Sequence, residues 1–363
     1  MIDRALIQEI DWILISLLLV NSLCGVVLIY SSSHYLPGNY YLRQIIWIVV
    51  SLGVLFLSLT INYKILLTFS LYFYLFLISI LFGLLFFGKV IAGAKSWIRV
   101  AFLGLQPSEL AKIAVILLLA RLFSEYKKKY LSLRLGFLSG VVVGLPILLV
   151  AKQPDLGTAV SFLSLLAGCL WLVGLNKKTL IVLLIFALLA SVAGWNFFLK
   201  DYQKKRLTTL IYPGQDPLGS GYHVLQSKIA IGSGGFFGKG FKKGTQSQLK
   251  FLPARHTDFI FSVLGEEFGF LGVLFILWLY FLFLSRLFHS VNKSRDRGGV
   301  YIVFMVVLML SFQFFINALM IVGLFPIIGI PLPLLSYGGS SLLTTYLAVG
   351  LVINVKMRRF VNV

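Results

Sequence analysis

The stretch DWILISLLLVNSLCGVVLIY, residues 11–30, decides the fold: after Asp11 it carries no charged residue through Tyr30. About 20 consecutive apolar residues are what one helix needs to cross a bilayer. Nine further runs of this kind follow, at 44–61, 65–87, 108–123, 135–152, 156–175, 179–199, 258–286, 299–323 and 334–355, each bounded by Gly, Pro or charge. The fourth is short, and interrupted spans often mark sites. Of the 363 residues, 59% are apolar and 12% charged, whereas a soluble domain carries about 25% charge. The reading is one all-α, polytopic integral membrane domain over residues 1–363, with about ten transmembrane helices and one long outer loop, 200–257. Disordered, collagenous and disulfide-built classes are excluded. There is no internal repeat, and no small-residue cleavage site follows the first run, so no cleavable signal peptide is expected. Cys24 and Cys169 each lie inside an apolar run, where a thiol behaves as a small hydrophobe.

Lys and Arg number 32 against 12 Asp and Glu, a formal +20, a surplus that suits anionic lipid headgroups or a phosphorylated substrate. The basic residues stand in short clusters between apolar runs, which argues against nucleic acid. With the N-terminus in the cytoplasm the inner segments hold sixteen Lys and Arg, and the short outer loops hold five: Arg43, Lys89, Lys95, Arg99 and Lys152. The positive-inside rule therefore places both termini in the cytoplasm and the 200–257 loop outside. That loop opens with turn signals at Tyr212-Pro213-Gly214-Gln215-Asp216-Pro217. In the stretch 222–231, Tyr222, Leu225 and Ile229 recur at helical spacing, fitting either a helix on the membrane surface or an ordinary solvated loop.

Five acids, Glu109, Asp155, Asp258, Glu266 and Glu267, fall at the outer ends or first turns of spans, where ionisable groups are functional candidates by default. Glu109 and Lys112 share a helix face at i,i+3, with Ser108 as a helix cap; a structural ion pair is the alternative. Lys152 and Asp155 flank Pro154, whose turn brings them into proximity, or simply pairs them in a loop. Asp258 opens the eighth span, as a general base with raised pKa or as a helix-dipole partner; Glu266 lies on its face two turns below, and Glu267 points away. Tempting motifs fail. Residues 232–240 lack the Gly and the Ser or Thr of a phosphate loop, and Phe237 replaces the third Gly of a dinucleotide fingerprint. The four His, at 34, 223, 256 and 289, never pair at metal-ligand spacing. Two classes fit: a transferase acting on a lipid-linked anionic substrate at the outer leaflet, and a transporter or flippase, which needs polar residues at the midplane and on both sides. One-sided acids favour the transferase.

Residues 93–98 (GAKSWI), 106–112 (QPSELAK), 153–159 (QPDLGTA), 256–261 (HTDFIF) and 331–341 (PLPLLSYGGSS) resemble the SEDS family of bacterial cell-wall polymerases, over about residues 10 to 357. Within it, 216–222 (DPLGSGY), 226–235 (QSKIAIGSGG) and 244–249 (GTQSQL) look like the branch serving elongation and rod shape rather than division. The family commonly has Glu where this chain has Ala254. The resemblance implies a peptidoglycan glycosyltransferase of the bacterial cytoplasmic membrane that joins lipid II units into glycan strands at the outer face. The undecaprenyl diphosphate leaving group needs Lys, Arg or a divalent cation, magnesium or manganese. Asp258 matches the family's catalytic aspartate. Glu109, Lys112, Lys152 and Asp155 match positions for substrate positioning and diphosphate charge, with Arg43, Lys228 and Arg255 as further anion ligands. The implied partner is a class B penicillin-binding protein supplying the transpeptidase. No outer Ser-x-x-Lys motif is present here; Ser124 and Lys127 fall on the inner side.

Overall fold

The computed structural model describes residues 8–91, 94–100, 103–126, 128, 130–174, 177–198, 201–211, 219–249, 251–252 and 254–360. Helix α1, Trp12–Ser33, begins where Asp11 accepts from the Leu14 amide at 3.1 Å, a side-chain cap of the kind short acids provide. The expected second span is α2, Tyr40–Thr60. The expected third span is broken: a short α3, Tyr63–Thr68, capped by Asn62, gives way at Phe69 to α4, Ser70–Phe87. A three-stranded antiparallel sheet, β1 (Lys89–Ile91), β2 (Ala94–Val100) and β3 (Leu103–Leu105), follows in order. Two of the three strands have only three residues and carry no readable alternation, so the all-helical reading passed over the sheet.

Then come α5 (Pro107–Ser124), α6 (Leu133–Lys152), α7 (Leu156–Val173) and α8 (Lys177–Ala193), the last continued by a π turn at Gly194–Phe198. The outer segment is not simply a loop. It holds α9 (Asp201–Ile211), α10 (Ser220–Ser233) and a single turn, α11 (Thr245–Gln248). The Tyr212–Pro217 turn signals lie outside the described residues. Helices α12 (Ile260–Lys293), α13 (Arg297–Ile321) and α14 (Gly339–Met357) close the fold. The tenth span therefore starts five residues later than expected, and 331–338 is a loop.

Among the described residues eight helices are long and apolar enough to cross a membrane. Helix α5, which carries Glu109, Lys112 and Arg121, and α8, at 17 residues, bring the set to the ten expected. Helices α5, α13 and α14 are buried along most of their length, as expected of α13 and α14, which are apolar nearly all round. Because lipid is as apolar as Leu, association here depends on close packing through small residues. A Cβ on Gly339 would lie 2.0 Å from the Trp47 ring, and one on Gly350 would lie 3.2 Å from the Leu55 carbonyl, so α14 seats directly on α2.

At the end of the bundle that carries the chain termini, Asp11 pairs with Arg286 at 2.9 Å and with Lys356, tying α1, α12 and α14 together. Burial works against its charge, and the bonds from Lys356 and Arg286 outweigh that, holding the Asp11 carboxyl below its usual range.

Helix α12 is broken at Gly269, where φ is 63° and ψ −159°. Segment 270–293 spans roughly 36 Å at 1.5 Å per residue, enough for the bilayer. The amides of Phe270 and Leu271 leave the helical pattern and donate to the carbonyls of Gly235 and Phe236, at 2.9 and 3.2 Å. In return Lys239 and Gly240 donate to the carbonyls of Glu266 and Glu267, at 3.0 and 2.9 Å. The glycine-rich segment after α10 thus replaces the bonds the helix gives up, and irregular backbone is tolerated at this depth because protein satisfies it. Helix α10 packs on this assembly through Ser227, 2.8 Å from the Ser262 hydroxyl and from the Ile321 carbonyl. The stretch is a helix, as one of the two expectations had it, with Leu225 and Ile229 exposed and Tyr222 half-buried.

Candidate active site

Asp258 sits in a turn rather than in a helix. The amides of Thr257 and Phe259 both donate to the Ala254 carbonyl, at 3.0 and 3.3 Å, and α12 starts only at Ile260 with Phe259 at the cap position. The helix-cap reading of Asp258 is therefore corrected: its side chain is left for other work. Three contacts pin the turn. Asn317 of α13 donates to the carbonyls of Asp258 and Ile330, at 3.0 and 2.8 Å. The Ser336 hydroxyl donates to the Thr257 carbonyl at 2.6 Å, and the Tyr337 amide donates to the His256 carbonyl at 2.9 Å. The loop 323–338 is thereby strapped over the turn.

The carboxylate itself lies against Gly329, where an added Cβ would approach Oδ2 to 3.4 Å. Burial pushes the Asp258 carboxyl up to about 6; the Arg206 charge and the Thr257 bond pull it down, and the Asp155 charge adds to the rise. A carboxylate poised near neutrality can accept a proton during a reaction and release it again.

Asp155 caps α7, accepting from the Thr158 amide at 3.2 Å and its hydroxyl at 2.9 Å, and from Gln106 Nε2 at 2.5 Å. Burial raises its pKa, the Thr158 bonds lower it, and Glu109 and Lys112 act on it with opposite signs. Gln106 is held in turn: its amide donates to Ser340 Oγ at 2.8 Å, and Ser340 Oγ donates to the carbonyl of Gly104, the middle residue of β3. The sheet thus fixes the start of α5. Gly157 lets α7 approach the strap, since a Cβ there would lie 2.5 Å from the Ile328 carbonyl and 2.8 Å from that of Gly329.

Glu109 and Lys112 form a buried ion pair at 2.8 Å, with Lys112 fully buried. The charges of Glu109 and Lys112 act on Asp155, and that of Asp155 acts on Asp258, so the four are electrostatically coupled. Ser108 is not the cap of α5; Pro107 is the first residue of that helix, after Gln106. Lys152 is exposed and, among the described residues, pairs with no acid, so its expected contact with Asp155 is absent. Arg43 is exposed beside the Tyr337 hydroxyl. His256 packs between Tyr40 and Tyr337, with ring centroids 4.7 and 5.8 Å away.

Arg255 is corrected from ligand to brace: it is 3% exposed and donates to the carbonyls of Ser247 and Gln248. Glu266 does not join Asp258. It pairs with Lys239 at 2.9 Å and accepts from the amides of Gln246 and Ser247. Glu267 accepts from Ser31 at 2.6 Å. Lys228 is exposed and shares a cleft with Arg206.

A family model described as cell cycle protein, FtsW, RodA and SpoVE, matches residues 11–360. The chain belongs to the FtsW/RodA/SpoVE family. Among curated relatives, the peptidoglycan glycosyltransferase MrdB of Escherichia coli strain K12 is 42% identical over 290 residues, 79% of this chain and 78% of that protein. Among solved structures, a chain of a peptidoglycan synthase complex that coordinates polymerization and crosslinking superposes with a TM-score of 0.82 at 30% identity, covering 97% of this chain and 99% of its own. The rod shape determining protein RodA of Thermus thermophilus gives 0.72 at 28%, covering 97% and 98%. This FtsW/RodA/SpoVE member is a multi-pass membrane protein of the RodA-like kind.

Sequence reasoning missed Gln106, Arg206, Asn317 and Gly329. Gln106 stood inside a quoted motif, and Arg206 follows Lys204 and Lys205, but nothing local marks Asn317 or Gly329. No group of three or more His, Cys, Asp or Glu converges among the described residues. Magnesium, however, needs only one or two carboxylates when substrate phosphates complete its shell, and Asp155, whose oxygens already accept from Thr158 and Gln106, would supply one.

Proposed function

We propose that this chain is a peptidoglycan glycosyltransferase that polymerises lipid II into glycan strands at the outer face of the cytoplasmic membrane, for elongation and rod shape. The observation that carries the reading is Asp258: a carboxylate raised to a pKa of about 6, pinned through its backbone, lying against Gly329 and within reach of the Asp155 charge. In the transfer, a sugar hydroxyl of one lipid-linked unit attacks the anomeric carbon of another. Asp258 takes the hydroxyl proton, the new glycosidic bond forms, and the bond to the diphosphate breaks with the electron pair leaving on its oxygen. Asp155, Glu109 and Lys112 would line the site, and the backbone pinning fixes the turn from which Asp258 would make the roughly 3 Å approach that proton transfer requires. A divalent cation held by Asp155 and the substrate's own oxygens would add charge for the diphosphate.

The charge count supports both termini in the cytoplasm and the segment α9 to α11 outside. The solved synthase complex supports a class B penicillin-binding protein as the crosslinking partner. A flippase is the second reading, and it requires alternating access from the inner side; there Asp11 is closed in ion pairs with Arg286 and Lys356. Purified protein with its partner should lengthen lipid II into glycan. Translocation of lipid II across vesicles with no polymer formed would give the flippase reading the place of this one.

A further inference from the structure

An apolar groove of about 350 Å³ opens at the end of the bundle that carries the chain termini. It is lined by Gly53, Phe56, Leu57 and Thr60 of α2, by Ile10, two residues before α1, and by Met357, the last residue of α14. Asp258 is at the opposite end of α2, where Tyr40 packs on the His256 ring with centroids 4.7 Å apart. A Cβ on Gly53 would meet nothing within 4 Å, so α2 leaves the groove open there. Two turns of a helix, about 10 Å across and about 11 Å long, occupy more than twice this volume. A single extended hydrocarbon chain fits where a helix does not.

The rim of the groove carries a fixed cation. Arg358, the residue after Met357, donates through Nη2 to the carbonyls of Leu59 and Thr60 at 3.1 and 3.3 Å, and through Nε to Asn354 Oδ1 at 3.1 Å. Leu59 and Thr60 are themselves groove-lining residues. Asn354 is fully buried and donates to the carbonyls of Ser58 and Ile61, each at 2.6 Å, so the support of the guanidinium is rigid. These bonds use Nε and Nη2; among the described residues no acceptor meets Nη1 and no carboxylate pairs with Arg358. The acids at this end are committed elsewhere: Glu9 to Arg359 at 2.8 Å, Asp11 to Arg286 and Lys356, and Asp296 to the Tyr63 hydroxyl and the Gly299 amide. Burial disfavours the Arg358 charge, and an anion against Nη1 would offset that cost. Lys64, exposed near the start of α3, adds positive charge at the same end. Any lipid could lay a chain in an apolar groove, but a cation just beyond the end of a spanning helix, at headgroup level, selects an anionic one. We infer that this groove is a binding site for an anionic phospholipid, with one acyl chain along α2 and the phosphate on Arg358.

The site does not depend on the polymerase reading, and its test needs no turnover. Full-length protein in neutral detergent is titrated with phosphatidylglycerol, with phosphatidylcholine of the same chains and with soluble glycerol 3-phosphate, and bound molecules are counted by native mass spectrometry. The parent should prefer phosphatidylglycerol to the other two. Loss of one charge-assisted contact in Arg358→Gln should raise the Kd of the tightest phosphatidylglycerol by about tenfold or more. Arg358→Lys, which keeps the charge, should retain most of the affinity. Gly53→Phe fills the groove and leaves Arg358 and its bonds in place, so it should weaken the same lipid. Parent affinity in either Arg358→Gln or Gly53→Phe overturns the site. Equal affinity of the parent for phosphatidylcholine overturns it in favour of ordinary annular contact, and equal affinity for glycerol 3-phosphate overturns it in favour of a bare anion site.

Discussion

Gly269→Ala tests the junction on which the outer half of the molecule depends. At φ 63° and ψ −159° the residue occupies a region essentially reserved for glycine, and a side chain there costs about 1 to 3 kcal/mol. The added Cβ would also meet the Gly238 amide nitrogen at 2.3 Å and the Phe236 carbonyl at 2.8 Å, and overpacking of this kind costs about 1 to 3 kcal/mol more. If the segment 235–240 lifts away, four exchanged hydrogen bonds go with it, each worth about 0.5 to 1.5 kcal/mol net. These terms overlap, since relief of the clash is what breaks the bonds, so the expected loss is about 3 to 6 kcal/mol. Hydrogen exchange by mass spectrometry should show faster exchange at Lys239, Gly240, Phe270 and Leu271, while α14 stays protected. Activity should fall as well, because Glu266 and Arg255 link this junction through residues 246–248 to the turn of Asp258. A variant with the parent's thermal midpoint and unchanged exchange at those four amides would refute the exchanged-bond account of the break.

Three further outcomes are expected. The transfer rate should rise as pH climbs through about 6 and level above it, because Asp258 accepts a proton only when ionised; a flat profile from pH 5 to 7 would remove it as base. Gly157→Ala should cost about 1 to 3 kcal/mol and lower activity by pushing Asp155 from the strap, with thermal midpoint and polymer yield as readouts; parent values in both would show that the close approach is not needed. Asp11→Asn should destabilise by about 3 to 5 kcal/mol by leaving buried Lys356 without its acid. The Asp11 pKa is lowered on folding, so its contribution is present above the unfolded value of 3.8 and is lost as pH falls through the folded one. An Asn variant whose thermal midpoint matches the parent at pH 7 contradicts that role.

The spans were legible because charge-free runs have one physical outcome in a bilayer. The Glu109 and Lys112 pair was legible because i,i+3 spacing fixes it within one helix. Motif resemblance, not periodicity, singled out Asp258. What stayed hidden depends on contacts between distant segments. Gly269 reads as one more glycine in an apolar helix until residues 235–240 supply its missing bonds. Asn317 looks like a stray polar residue until it is seen holding the carbonyls of Asp258 and Ile330 together. Arg255 looked like a ligand because it adjoins the motif, yet its side chain turns inward to two carbonyls of α11. Ala254 replaces the family's usual Glu at an exposed position with φ 48°, and the turn still closes on its carbonyl.

The central claim is that Asp258 is the base of the transfer, and Asp258→Asn in a lipid II polymerisation assay with the partner present tests it most directly. The substitution keeps the shape and removes the basic oxygen, so the variant should insert and assemble like the parent while glycan formation falls about 10² to 10⁴-fold. Polymerisation within about threefold of the parent, far short of what loss of a positioned base costs, would contradict the account.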